Sequence, residues 1–196
     1  IDLFITMGSL NPDEKPIPNV LLINDNHRFI QTGAESSLSD TYIGRGSVTF
    51  DYDNDGDLDL FIVNQSSVSS SFEGYENLSS RLYRNDAATG NWMKIKLEGS
   101  RSDINGIGSR VEVYTDNVLM IREIDGGSSH ESQNSKIAHF GMKEYKTADS
   151  IIVKWTSGAT QKLFDLEVNQ TITMQEPFEF TTWEKFVLFL YTLPYV

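Results

Sequence analysis

Nine consecutive residues carry most of the chemical potential of this chain. In Asp51-Tyr52-Asp53-Asn54-Asp55-Gly56-Asp57-Leu58-Asp59 every second side chain is a carboxylate. Five like charges this close repel strongly without a counter-ion. Ca2+ is a hard cation that takes ~6 to 8 oxygen ligands at ~2.3–2.6 Å, and alternate residues of a tight loop can supply them. Gly56 permits the sharp turn that folds the two halves of the loop together. The spacing therefore points to a Ca2+ site with side-chain ligands from Asp51, Asp53, Asp55 and Asp59 and the main-chain carbonyl of Asp57. The competing interpretation is a solvated acidic turn of Asx type. An EF-hand is excluded, because it needs a Glu at position 12 followed by a helix, and position 12 here is Ile62, inside the alternating run Leu58–Val63. The metal is expected to tie its loop to a sheet.

β structure must hold that loop. Leu58–Val63, Trp92–Leu97, Arg110–Tyr114, Ile151–Trp155 and Gln170–Met174 are short, alternating, rich in β-branched and aromatic residues, and bounded by Gly, Asn, Asp or Ser. The expected class is all-β, with a single helix candidate near Thr182–Leu190 that Thr182 would cap. One internal repeat is visible: Ile1-Asp2-Leu3-Phe4-Ile5 matches Leu58-Asp59-Leu60-Phe61-Ile62 at an offset of 57, and Leu21-Leu22-Ile23-Asn24-Asp25 resembles Leu82-Tyr83-Arg84-Asn85-Asp86 at an offset of 61. A recurring strand, loop and strand ending in Asn-Asp suggests propeller blades, of which about one and a half are present. After Gly90 the repeat is not copied again, so a boundary is expected near Ala87–Gly90. Ser66–Ser71 and Asn11–Pro18 read as loop insertions at equivalent places in the two copies.

Gly44-Arg45-Gly46-Ser47-Val48-Thr49-Phe50 leading into the acidic loop, with Arg81-Leu82-Tyr83-Arg84-Asn85-Asp86 downstream, resembles an FG-GAP/VCBS repeat, the blade unit of integrin-like β-propellers. The resemblance implies Ca2+ binding through the same loop. It also implies that the first copy, in which Asp2 aligns with Asp59, lacks its loop. Further on, Leu97-Glu98-Gly99-Ser100, Asn105–Val111, Arg122-Glu123-Ile124, Ser132-Gln133, His139-Phe140-Gly141 and Val153–Gly158 follow the order of the ASPIC/UnbV domain, found after FG-GAP repeats in many bacterial secreted proteins. Thr156 and Met142 depart from that pattern, where Pro and Leu are usual. The resemblances together imply partial β-propeller blades over residues 1–90, a β-sandwich-like ASPIC/UnbV domain over 91–176 and an apolar tail over 177–196. The second family has no established activity.

Composition limits the partners. The 196 residues include 16 Lys+Arg and 28 Asp+Glu, a formal charge of −12, which repels nucleic acid and anionic membrane surfaces. With 39% hydrophobic and 11% aromatic residues the chain has the makings of a core. The absence of cysteine removes disulfides, thiolate metal sites and thiol nucleophiles without deciding the compartment. Ile1 lies inside a strand-like run, as in a chain processed or excised from something longer.

Other candidates carry less. Ser128-Ser129-His130-Glu131 lacks the Gly-x-Ser-x-Gly context of a nucleophile and reads as a polar loop. Of the three histidines, His27, His130 and His139, His139 reads as packing at a strand end, since no second His or carboxylate lies at ligand spacing around it. Asn64, Asn77 and Asn169 begin Asn-x-Ser/Thr sequons. The tail Phe178–Val196 is interrupted by Glu179, Glu184, Lys185 and Pro194, so it is too broken to span a membrane. It folds back on its own domain or docks on a neighbouring subunit.

The expected protein is not an enzyme. It is a secreted or cell-surface, calcium-binding adhesion or assembly module, whose partners are other protein subunits or extracellular glycans and whose tail supports a homo-oligomer or fibre. The alternative is a carbohydrate-binding domain or the accessory domain of a carbohydrate-active enzyme, whose mark would be a pair of carboxylates facing each other in a cleft.

Overall fold

The computed structural model describes residues 2–9, 17–25, 28–32, 38–65, 79–86, 90–127 and 129–178. The helix candidate, the Ser66–Ser71 insertion and all of the tail beyond Phe178 lie outside them. Among the described residues every regular element is a β-strand. The chain divides into two units: Ile1–Trp92 with Asp125–Ser135 and Gly141–Glu144, and Met93–Ile124 with Lys136–Phe140 and Tyr145–Val196.

The first unit contains two three-stranded antiparallel sheets. Strands β1 (Leu3–Ile5), β2 (Val20–Asp25) and β3 (Arg28–Gln31) form one, and β4 (Gly44–Phe50), β5 (Asp59–Asn64) and β6 (Arg81–Tyr83) the other. The internal repeat reappears as strand register. β1 pairs with β2 through Leu3 opposite Leu22, Phe4 opposite Leu21 and Ile5 opposite Val20. β5 pairs with β6 through Leu60 opposite Tyr83, Phe61 opposite Leu82 and Ile62 opposite Arg81. Each partner is displaced by the same 57 and 61 residues that relate the two copies in sequence. The copies therefore pair their strands identically, and the difference of four residues is taken up in the connection between strands.

Side chains stitch the first unit together. Asn19, buried, accepts from the N–H of Met7 at 2.8 Å and donates to Asp40 Oδ1 at 3.0 Å. Asp40 Oδ2 accepts from the Tyr83 hydroxyl at 3.1 Å, and the Arg81 guanidinium lies 4.2 Å over the Tyr42 ring. On the other side of β4, Asn134 Oδ1 accepts from the N–H of Thr49 at 3.0 Å, so a side chain satisfies a donor on a strand that, among the described residues, lies at the edge of its sheet.

The second unit is β-sandwich-like. β7 (Asn91–Glu98), whose first two residues count with the first unit, lies between β10 (Ala138–Lys143), whose last three do, and β13 (Gln170–Gln175), and β8 (Arg110–Thr115), β9 (Val118–Glu123), β11 (Thr147–Lys154) and β12 (Thr160–Glu167) form an antiparallel sheet ordered β12-β11-β8-β9. β7 and β13 run parallel from Met93 opposite Gln170 to Glu98 opposite Gln175. Ile95, Leu97 and Met174 on one sheet and Val111, Val113, Ile151 and Val153 on the other are removed from solvent, the alternation expected of sheets with one apolar face each. β8 and β9 join through Asp116 and Asn117, both at positive φ (41° and 65°), as a two-residue hairpin turn requires.

One carboxylate closes the end of this unit. Glu176, only 5% exposed, directs Oε2 at the N–H groups of Ser100, Arg101 and Ser102, each at 2.8 Å. Its Oε1 accepts from the hydroxyls of Ser102, at 2.9 Å, and Ser157. Burial alone would push this carboxyl up. The Ser102 N–H, the Ser157 hydroxyl and the N–H groups of Arg101 and Ser100 more than reverse that and hold it at about 2.

Candidate metal centre

The acidic loop is the connection of a hairpin. β4 and β5 pair from Gly44 opposite Asn64 to Phe50 opposite Asp59, with a bulge between Gly44 and Gly46, so the sheet brings the ends of residues 51–58 together and Asp59 opens the return strand. Asn54 (φ 62°) and Gly56 (φ 103°) reverse the chain within the loop.

Carboxylate oxygens of Asp51, Asp53 and Asp59 lie within 4.8 Å of one another. Asp59 is 1% exposed; its Oδ2 accepts from the N–H of Tyr52 at 2.9 Å and its Oδ1 from the N–H of Asn85 at 2.9 Å. Asp51 Oδ2 accepts from the N–H of Gly56 at 2.9 Å. Among the described residues no Lys, Arg or His forms an ion pair with Asp53 or Asp59. Burying a carboxylate is costly unless positive charge or several donors compensate it, and here two N–H groups face a carboxylate that has two acidic neighbours. The set is all hard oxygen, which suits Ca2+ or Mg2+ rather than a thiophilic or imidazole-seeking metal.

The other two aspartates are placed differently. Asp55 is exposed and its Oδ1 accepts from the N–H of Asp57 at 2.9 Å, an Asx turn within the loop. Asp57 is half-buried and stands outside the converging group of three. The donors that fix Asp59 were not legible in the motif. Asn85 had one signal, its place in the repeat: Asp2 Oδ1 accepts from the N–H of Asn24 at 2.8 Å, the same bond in the first copy.

Gly56 is buried in a loop whose residues 52–55 are exposed. A Cβ built on it would lie 2.0 Å from Nε1 of Trp92. Both the positive φ and the indole therefore demand glycine. Gly56→Ala is expected to lower unfolding free energy by about 2 kcal/mol, read by urea titration, since the new methyl must displace a large ring and adopt a strained backbone. An unchanged midpoint would contradict that packing.

The remaining candidates are dispersed. His130 and Glu131 are exposed, and Ser128 and His27 lie outside the described residues. The carbonyl of His139 accepts from Arg122 Nε at 3.0 Å. Asn64 is buried and its amide donates to the Ser79 carbonyl at 3.1 Å, a poor position for glycosylation, whereas Asn169 is exposed and Asn77 falls outside the described residues. No helix among the described residues is long and apolar enough to cross a membrane.

Comparison with known proteins adds the following. Residues 99–179 match the family model described as ASPIC and UnbV. Cartilage acidic protein 1 of Xenopus tropicalis is 28% identical over 148 residues, 72% of this chain and 21% of that protein. The mouse protein of the same name is 27% identical over 137 residues, 68% and 20% of the two chains, and the human protein 27% identical over 137 residues, 68% and 19%. The chain thus spans about a fifth of the length of these curated relatives. The ASPIC/UnbV resemblance read from the second half is supported by these matches.

Proposed function

We propose that this chain is a non-catalytic, calcium-binding extracellular module that acts in adhesion or assembly, built from FG-GAP/VCBS propeller-blade repeats followed by its ASPIC/UnbV domain. The observation that carries the metal is the convergence of Asp51, Asp53 and Asp59 on one point with Asp59 buried beside two other carboxylates. Those three would hold the ion, with Asp55 and the Asp57 carbonyl as further donors, and bound Ca2+ would supply the positive charge that the cluster requires. The blade assignment is supported by the shared register of the two copies. The extracellular setting is supported by the relatives, acidic proteins named for cartilage, and by the mass-action stabilisation that a calcium-rich medium provides. Self-assembly through residues 177–196 is part of the same proposal; Phe178, the last residue described, is 63% exposed.

Isothermal titration of the whole chain with CaCl2 tests the metal. One ion per chain is expected. Asp53→Ala should abolish the heat, and Asp55→Ala should weaken it less, because one Asp55 oxygen is already engaged in the turn. Absence of heat at millimolar CaCl2 would remove the proposal. Sedimentation velocity with and without residues 178–196 tests assembly: identical monomers in both cases would remove that part.

A further inference from the structure

The metal loop has a support that none of its own residues provides. The indole of Trp92 lies against Gly56, with Nε1, Cδ1 and Cε2 at 2.0, 2.1 and 2.5 Å from where a Cβ would stand, which is close packing of an aromatic edge on a bare Cα. The same glycine donates its N–H to Asp51 Oδ2. A line of contact therefore runs from the indole, through the Gly56 peptide, to one of the three converging carboxylates. Trp92 stands second in β7 and is half-buried. Residues 52–55 of the loop are open to water and Gly56 is buried, so the indole covers the loop at Gly56.

We infer that Trp92 is a positioning residue for the metal centre: it braces the Gly56 peptide so that Asp51 is pre-set for the cation, and it shields the inner side of the site from water. This rests on the calcium reading above. Apolar cover lowers the local dielectric and strengthens carboxylate–cation attraction, and partners that orient ligands are worth ~10- to 100-fold in metal affinity.

The test uses the whole chain labelled with 5-fluorotryptophan. The chain has three Trp, and single Trp→Phe variants assign their 19F resonances. Addition of CaCl2 should move the Trp92 resonance and leave that of Trp155 in place. Calorimetry should show Trp92→Ala binding Ca2+ at least ~10-fold more weakly, with Trp92→Phe recovering part of the loss. If Trp92→Ala does not fold by circular dichroism, Trp92→Phe and the 19F titration of the wild type decide. Heat of Ca2+ binding accompanied by a stationary Trp92 resonance, or by unchanged affinity in the Trp92 variants, would overturn the inference while leaving the metal centre intact. No heat in the wild type would overturn the metal centre and this inference with it.

Discussion

Replacing Glu176 by alanine is expected to destabilise the second unit by about 3 to 4 kcal/mol, measured by urea titration. The side chain takes three N–H donors on one oxygen and two hydroxyls on the other. Its loss leaves those donors without their acceptor, and hydrogen bonds to a charged group are the expensive ones to lose. Glu176→Gln should cost less, about 2 kcal/mol, since an amide oxygen still accepts but an amide N–H now faces the Ser102 and Ser157 hydroxyls. The same bonds set a pH dependence. The folded carboxyl is held at about 2, below its ordinary 4.5, so its contribution is fully present above pH ~4.5 and is lost as pH falls from there through 2. A depression of that size is worth roughly 2 to 3 kcal/mol once solvent at the rim is allowed for. The wild type should therefore lose stability between pH 4.5 and 2 more steeply than Glu176→Gln, and parallel acid-unfolding curves would argue against the role given to this side chain.

The second large effect is that of calcium removal. At a free Ca2+ concentration about 100 times the dissociation constant, binding to the folded state alone contributes ~2.7 kcal/mol. For a chain of this size that is roughly 5 to 10 °C in melting temperature. Transfer from CaCl2 to EGTA should lower the melting point by that amount, and Asp53→Ala should remove the difference. The sign in EGTA is also informative. With no cation present, Asp51, Asp53 and Asp59 repel one another, so Asp53→Ala should melt above the wild type under chelation and below it in calcium. Calorimetric melting curves that coincide in all four conditions would exclude structural calcium.

Much of the fold was readable from alternation and repeats, and the reasons are physical. Strands such as Thr147–Lys154 and Gln170–Gln175 announce themselves because one face is buried and side chains alternate. The repeat was readable because Asp2 and Asn24 recur as Asp59 and Asn85; its register emerged only from the paired strands, where a one-residue slip would turn the apolar side chains to the wrong face. The acidic loop was readable as a group, but not which of its members converge. Asp55 bends back to a main-chain N–H two residues on, a local choice that spacing does not reveal. Trp92 and Glu176 were silent for a different reason. Each acts on residues far away in the chain, Gly56 for one and Ser100–Ser102 for the other, and nothing periodic links them. A glycine that must stay bare and a run of consecutive N–H groups are signals only once their partners are in place.

The parallel pairing of β7 with β13 has a mechanical consequence. The chain enters β7 at one end of the pair and leaves β13 at the other, so tension applied before Asn91 and after Glu176 drags the two strands past each other lengthwise. The ladder between Met93 and Glu98 then shares the force among all its rungs at once, where a peeled hairpin would break them singly. Glu176, anchored to Ser100–Ser102 just beyond the last rung, adds a latch at the point where the load arrives.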